Sequence, residues 1–141
     1  FRQSMDRATD LRGYSDRVDR APDGRIRVID YKAGSTPISA RELTEGTRLQ
    51  LPLYALAAEQ ALGGEVSGGF YWHIGSARPS TLKLEKYEGG VPGAIETAVA
   101  HARRIVSAAR AGQFPAKPPD GGCPPFCPAA AFCEGFESRV W

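Results

Sequence analysis

The run Arg25-Ile26-Arg27-Val28-Ile29-Asp30-Tyr31-Lys32 alternates polar and apolar side chains like a strand with one face turned inward. Its inward set, Ile26 and Val28, continues into an acid and an ammonium, Asp30 and Lys32, on the same face. Charge at the end of a buried apolar strand is costly unless something compensates it. An ion pair at a strand edge would serve for Asp30-Tyr31-Lys32 alone, and so would a divalent cation with a phosphate. The preceding segment, Gly13 to Arg20, also alternates, and Ala21-Pro22-Asp23-Gly24 is a turn signal. With Pro22, Asp23 and Gly24 as a three-residue hairpin loop, Gly24 taking the left-handed position, Ala21 faces Arg25. Counting outward from that pair opposes Asp16 to Asp30 on one face, where like charges repel. Two facing carboxylates beside a lysine suit Mg²⁺ or Mn²⁺, which take hard oxygen ligands. A two-residue loop would instead oppose Asp16 to Tyr31 and separate the carboxylates.

Further along, helical spacing replaces alternation. Ser39-Ala40-Arg41-Glu42 reads as a capping box, with Ile38 and Leu43 placed as a hydrophobic staple. The pattern predicts a helix from there toward Leu62, stopped by Gly63-Gly64 and kinked or divided at Gly46 and Pro52. Gln50 and Tyr54, four apart, fall on one helix face within reach of a shared target. Two strands follow, Val66 to Ile74 and Thr81 to Tyr87, with a turn over Gly75 to Pro79 between them. Phe70, Trp72 and Ile74 share one face, Tyr71 and His73 the other. A lone strand histidine is more often structural than a ligand, and His73 is given no role. A second helix has Pro92 near its start and Gly112 after its end. Its apolar stripe is Ile95, Ala98, Val99, Ala102, Ile105, Val106 and Ala109. His101, Arg103, Arg104 and Arg110 lie off that stripe, as a solvated face or a track for phosphates.

Composition narrows the class only loosely. At 141 residues the chain has the length of one domain with a real core. A net charge of +2 is too small to argue for nucleic acid by itself. The longest apolar run, Leu51 to Ala58, is too short to span a bilayer, and no signal-peptide pattern is present. A cytoplasmic protein without a membrane partner is expected. Residues 1–10 read as the remnant of a longer chain, 11–113 as the core and 114–141 as a tail. That tail is rich in Pro and Gly before Cys123, Cys127 and Cys133, the only cysteines of the chain. In an intracellular protein such clustering points to metal rather than disulfides. Zinc would want four ligands, and no fourth Cys or nearby His is present.

The whole constellation resembles the PD-(D/E)XK nuclease superfamily, and within it the RecB-like branch. That branch pairs a Gly-x-x-Asp segment with an Asp-x-Lys strand across a hairpin, and adds a Gln-x-x-x-Tyr helix. Here these are Gly13-Tyr14-Ser15-Asp16, Asp30-Tyr31-Lys32 and Gln50-Leu51-Pro52-Leu53-Tyr54, and the resemblance covers roughly residues 11 to 133. It implies an α/β, restriction-endonuclease-like core: a central mixed sheet flanked by helices, followed by the Cys-rich tail. It further implies a Mg²⁺- or Mn²⁺-dependent DNA exonuclease of recombination and repair, with a helicase subunit or domain as a partner. Asp16, Asp30 and the backbone carbonyl of Tyr31 would hold the metal, Lys32 would position the attacking water, and Gln50 and Tyr54 would orient Lys32 or a DNA phosphate. AddB-like and CRISPR-associated members also hold a 4Fe-4S cluster with a C-terminal Cys cluster and one cysteine from well upstream. Cys123, Cys127 and Cys133 would be its ligands here. The spacing departs from the family's C-x2-C-x5-C by one residue between Cys123 and Cys127, and no upstream Cys or metal-binding His precedes Asp16. Two other classes stay open: a nuclease-inactive DNA-binding module of a helicase–nuclease, and a small metal-binding structural domain with Asp16 and Asp30 as surface acids.

Overall fold

The computed structural model describes residues 1–6, 9–34, 36–116, 123, 126–131 and 133. The chain divides into two compact units, Phe1–Arg104 and Ile105–Trp141. In the first, β1 (Arg2–Asp6) and β2 (Thr9–Arg12) form an antiparallel two-stranded sheet. A four-stranded mixed sheet carries the rest: β3 (Arg17–Arg20), β4 (Ile26–Lys32), β5 (Val66–His73) and β6 (Arg78–Lys83), in that spatial order.

The hairpin between β3 and β4 closes as its turn chemistry dictates. Ala21 N–H donates to the Arg25 carbonyl at 2.8 Å, Gly24 N–H donates to that of Ala21 at 2.9 Å, and Gly24 has φ +87°. That positive φ is cheap only for glycine. Arg17 then opposes Ile29, Val18 opposes Val28, Asp19 opposes Arg27 and Arg20 opposes Ile26. The register is the one a three-residue loop requires. β3 is shorter than the alternation suggests, because residues 13–16 leave the ladder. Gly13 pairs with Phe1 instead: its N–H donates to the Phe1 carbonyl at 3.2 Å, and its own carbonyl accepts the Phe1 amino group at 2.7 Å.

β4 and β5 run parallel, with Asp30 beside Tyr71 and Lys32 beside His73. Parallel neighbours need a crossover. Helices α1 (Ala40–Thr44) and α2 (Gln50–Leu62) supply it. Glu42 accepts the Ser39 N–H at 2.9 Å, and Ile38 and Leu43 are both buried, as the capping box and staple predict. The predicted helix does divide, at Gly46, where φ is +79°. Pro52 leaves it unkinked, because it falls in the first turn of α2, where no intrahelical N–H partner is lost. Gly63, at φ +62°, ends α2.

Two further expectations are corrected. The last strand spans Arg78–Lys83 rather than residues 81–87, and Leu84–Lys86 form a 3₁₀ turn. It begins early because β6 is a sheet edge, where the missing N–H of Pro79 is harmless. Helix α3 (Gly90–Arg110) buries Val91, Ala94, Ala98 and Ala102, with Ile95 at the flank, while Ile105 is 54% exposed. Small alanines along the contact line displace the bulkier part of the predicted stripe. His101, half-exposed on the expected polar face, also reaches the Thr44 carbonyl through Nε2 at 3.0 Å.

One core joins the inner face of the sheet to all three helices through Ile26, Val28, Leu51, Ala55, Tyr71 and Leu82, among others. Among the described residues no helix is long and apolar enough to cross a membrane.

Candidate active site

The core face of β4 ends in charge. Ile26 and Val28 are fully buried, and Asp30, next in that series, is only 1% exposed. Lys32 Nζ lies 2.6 Å from Asp30 Oδ2. The ammonium meets that oxygen as a charge but off the hydrogen-bonding angle, since Oδ2 has no hydrogen-bond partner among the described residues. A buried carboxylate oxygen therefore has one ammonium as its compensation and no hydrogen bond besides among the described residues.

Asp16 joins it from β3's N-terminal side. Its Oδ2 accepts the Tyr31 backbone N–H at 2.9 Å, which fixes the carboxylate against the end of β4. Burial pushes the Asp30 carboxyl's pKa up, the Lys32 ion pair pulls it down, and Asp16 raises it further through like charge and hydrogen bonding. Burial and the second acid win, so the two carboxylates crowd each other although Asp16 lies just outside the ladder. Asp19 has the other parity and pairs with Arg17 at 2.7 Å.

Lys32 is held from its other side by α2. Its Nζ donates to Gln50 Oε1 at 2.9 Å, and Gln50 Nε2 donates to the Tyr54 hydroxyl at 2.7 Å. Gln50 thus spends its carbonyl on the ammonium and its amide on the phenol, which fixes the order Lys32–Gln50–Tyr54. The four-residue spacing expected to put Gln50 and Tyr54 on one face does so.

Tyr71 was not singled out by its sequence. Its ring lies under the Lys32 ammonium, 5.2 Å from centroid to Nζ, and its hydroxyl accepts the Leu51 N–H at 3.2 Å. It therefore supports the lysine and satisfies one of the orphan donors at the start of α2. Burial pushes its hydroxyl up to about 12, so the phenol stays neutral. The only sequence signal for it was its parity with His73. His73 is buried, and its Nδ1 reaches the Gly34 carbonyl at 2.8 Å, the structural role expected of it.

A divalent cation fits this donor set: two crowded carboxylates, one buried with an unsatisfied oxygen, are hard ligands whose repulsion a cation relieves. Only two acids meet here. Among the described residues no group of three or more His, Cys, Asp or Glu side chains could hold a metal ion. That includes the cysteines. Cys123, Cys127 and Cys133 are half-buried thiols, and the structure does not gather them into a site.

A sequence profile of the PD-(D/E)XK nuclease superfamily matches residues 2–134. Among curated proteins, the chain is similar to three that are each named as a subunit of an ATP-dependent helicase/deoxyribonuclease. That of Lachnoclostridium phytofermentans is 42% identical over 79 residues, covering 49% of this chain and 7% of the relative. That of Streptococcus mutans serotype c is 25% identical over 92 residues, 62% of this chain and 8% of the relative. A third, from Streptococcus equi subsp. zooepidemicus, is 34% identical over 70 residues, 50% of this chain and 6% of the relative. The chain spans less than a tenth of the length of these relatives. No solved structure matches significantly.

Proposed function

The chain belongs to the PD-(D/E)XK nuclease superfamily, and from that premise we propose that it is a Mg²⁺- or Mn²⁺-dependent exonuclease domain that hydrolyses DNA phosphodiester bonds in recombination and repair. The similarity to proteins named for a helicase/deoxyribonuclease supports DNA as the substrate and a helicase as the partner. One observation carries the chemistry: a buried Asp30 oxygen without a hydrogen bond, beside Asp16 and within 2.6 Å of Lys32 Nζ. Asp16, Asp30 and the Tyr31 backbone carbonyl are the proposed metal ligands. When bound, the ion lowers the pKa of a water and offsets charge gathering on the phosphate.

The chain's own residues supply the rest. Lys32 stabilises negative charge gathering on the phosphate, since Gln50 and Asp30 fix its position before reaction. Gln50 holds that ammonium by its carbonyl, Tyr54 holds Gln50, and the Tyr71 ring limits where Nζ can go. Preorganisation of this kind matters because a misplaced ammonium must be reoriented during the reaction.

Cleavage of end-labelled single- and double-stranded DNA, with Mg²⁺, Mn²⁺ or EDTA, tests the proposal. Metal-dependent release of nucleotides from ends is the expected result, and Lys32→Met should lower kcat by about 10²–10³-fold. No cleavage by the wild type under any metal would sink it. A second reading, a DNA-binding module without nuclease activity, is favoured by the meeting of only two acids at the site among the described residues. It predicts DNA binding without cleavage.

The iron–sulfur expectation rests on the resemblance to AddB-like and CRISPR-associated members and on the clustering of Cys123, Cys127 and Cys133. The thiols do not fit a cluster as they stand, and no step is routed through one. Iron and sulfide analysis of protein purified without oxygen tests it: iron lost on changing these cysteines to serine supports the cluster, while stoichiometric zinc or no metal contradicts it.

A further inference from the structure

A cleft of about 190 Å³ opens beside Lys32, lined further by Gly34, Thr36, Ile38, Arg48 and His73. Among the described residues none that lines it is an acid. Arg48 stands in the link between α1 and α2. Its backbone is pinned there, because the N–H groups of Thr47 and Arg48 both donate to the Glu42 carbonyl, at 2.8 and 3.1 Å. The side chain is half-buried, and its guanidinium has no hydrogen-bond or ion-pair partner among the described residues. Its charge is felt only through space, by Glu42 and Tyr71. Lys32 is different, because Asp30 and Gln50 already occupy it. His73 ties the loop after β4 to β5 through the Gly34 carbonyl, and both line the cleft with Arg48 and Lys32.

A half-buried guanidinium with all its donors unspent is matched to a phosphate, which it can meet through two parallel hydrogen bonds. Its neighbour on the cleft wall is the lysine assigned to the scissile phosphate. A nucleic-acid strand carries its phosphates in a regular row, so a strand with one at Lys32 presents another beside it. We propose that Arg48 binds a second phosphate of the substrate strand, flanking the one under attack. The proposal rests on the nuclease reading above and assigns to that site a contact that selects a strand rather than a lone phosphate ester.

The probe is a short single-stranded oligonucleotide, made with a 5′-hydroxyl, a 5′-phosphate or a 3′-phosphate. Binding is followed by fluorescence anisotropy over a range of salt, with Ca²⁺ in place of Mg²⁺. Arg48→Gln should raise Kd about tenfold and flatten the slope of log Kd against log salt by about 0.7, the share of one phosphate on a single strand. Arg48→Lys should recover part of the affinity but less than the wild type, because an ammonium cannot pair in bidentate fashion. The exposed Arg27→Gln is the control and should bind as the wild type does. Equal losses for all three oligonucleotides assign an internal phosphodiester, and a loss confined to one phosphorylated end assigns that terminal phosphate. If the wild type binds and Arg48→Gln binds identically, with the same slope, the Arg48 proposal fails alone. If the wild type binds none of the three, the nuclease reading fails and the proposal with it. Superimposable melting curves for the variants exclude loss of the fold as the cause.

Discussion

At the scale of single residues, the carboxylates carry different costs. Asp30 is buried and its pKa is raised, so the folded state holds its proton more tightly than the unfolded chain. Ionisation of this group therefore opposes folding: metal-free protein should lose stability as pH rises from the ordinary carboxylate value of about 4 toward the raised one. Asp30→Asn removes that loss. At neutral pH without metal it should melt above the wild type by thermal denaturation, the difference shrinking as pH falls. A lower melting temperature would show that the Lys32 ion pair outweighs burial. Asp16 and Asp19 make the complementary comparison. Asp16→Ala should abolish metal-dependent cleavage, whereas Asp19→Ala should stay within a few-fold of wild type, since it loses only an exposed pair with Arg17. The reverse pattern in a cleavage assay would contradict the register. Asp16, Asp30, Lys32, Gln50 and Tyr54 could be singled out in the sequence because strand parity, loop length and helical spacing agree with the order of motifs in the family the chain resembles. Tyr71 and Arg48 could not, because each owes its place to pairing or a chain break that no local rule specifies.

At the scale of elements, two positions hold the crossover in place. Gly46 divides α1 from α2 at a positive φ, and a Cβ there would stand 2.3 Å from His101 Nδ1. Gly46→Ala should destabilise the protein by about 1–3 kcal/mol through backbone strain, with the clash adding to it. Chemical denaturation measures this, and an unchanged midpoint would refute it. Tyr71→Phe leaves the Leu51 N–H at the head of α2 without its acceptor. That should cost about 1–3 kcal/mol while keeping the ring under Lys32, so cleavage should fall far less than in Lys32→Met. The hairpin was legible to the register because Pro22, Asp23 and Gly24 allow few turns. The extent of β3 and β6 was not. Alternation marks residues fit to pair, but the pairing of Gly13 with Phe1 and an edge position for Pro79 decide where each strand lies.

At the scale of the molecule, the site is assembled by the parallel pairing of β4 with β5, strands distant in sequence. The α/β class could be anticipated from the order of patterns, whereas the side-by-side placement of Asp30 with Tyr71 and Lys32 with His73 could not. Separate local devices thus converge on one end of the sheet: the Tyr31 N–H holds Asp16 against the end of β4, a helix start presents Gln50, and a crossover delivers Tyr71. If that end is built for a divalent cation, the cation should stabilise the fold as well as enable cleavage, since it binds only the assembled site. The deciding measurement is Mn²⁺ binding, followed by loss of the free-ion electron paramagnetic resonance signal, for wild type, Asp16→Ala and Asp30→Asn, with Mg²⁺ as competitor. One site on the wild type, displaced by Mg²⁺ and weakened in both variants by at least the roughly 10–100-fold typical of a metal's supporting groups, is the predicted result. Equal Mn²⁺ affinity in all three proteins would contradict it.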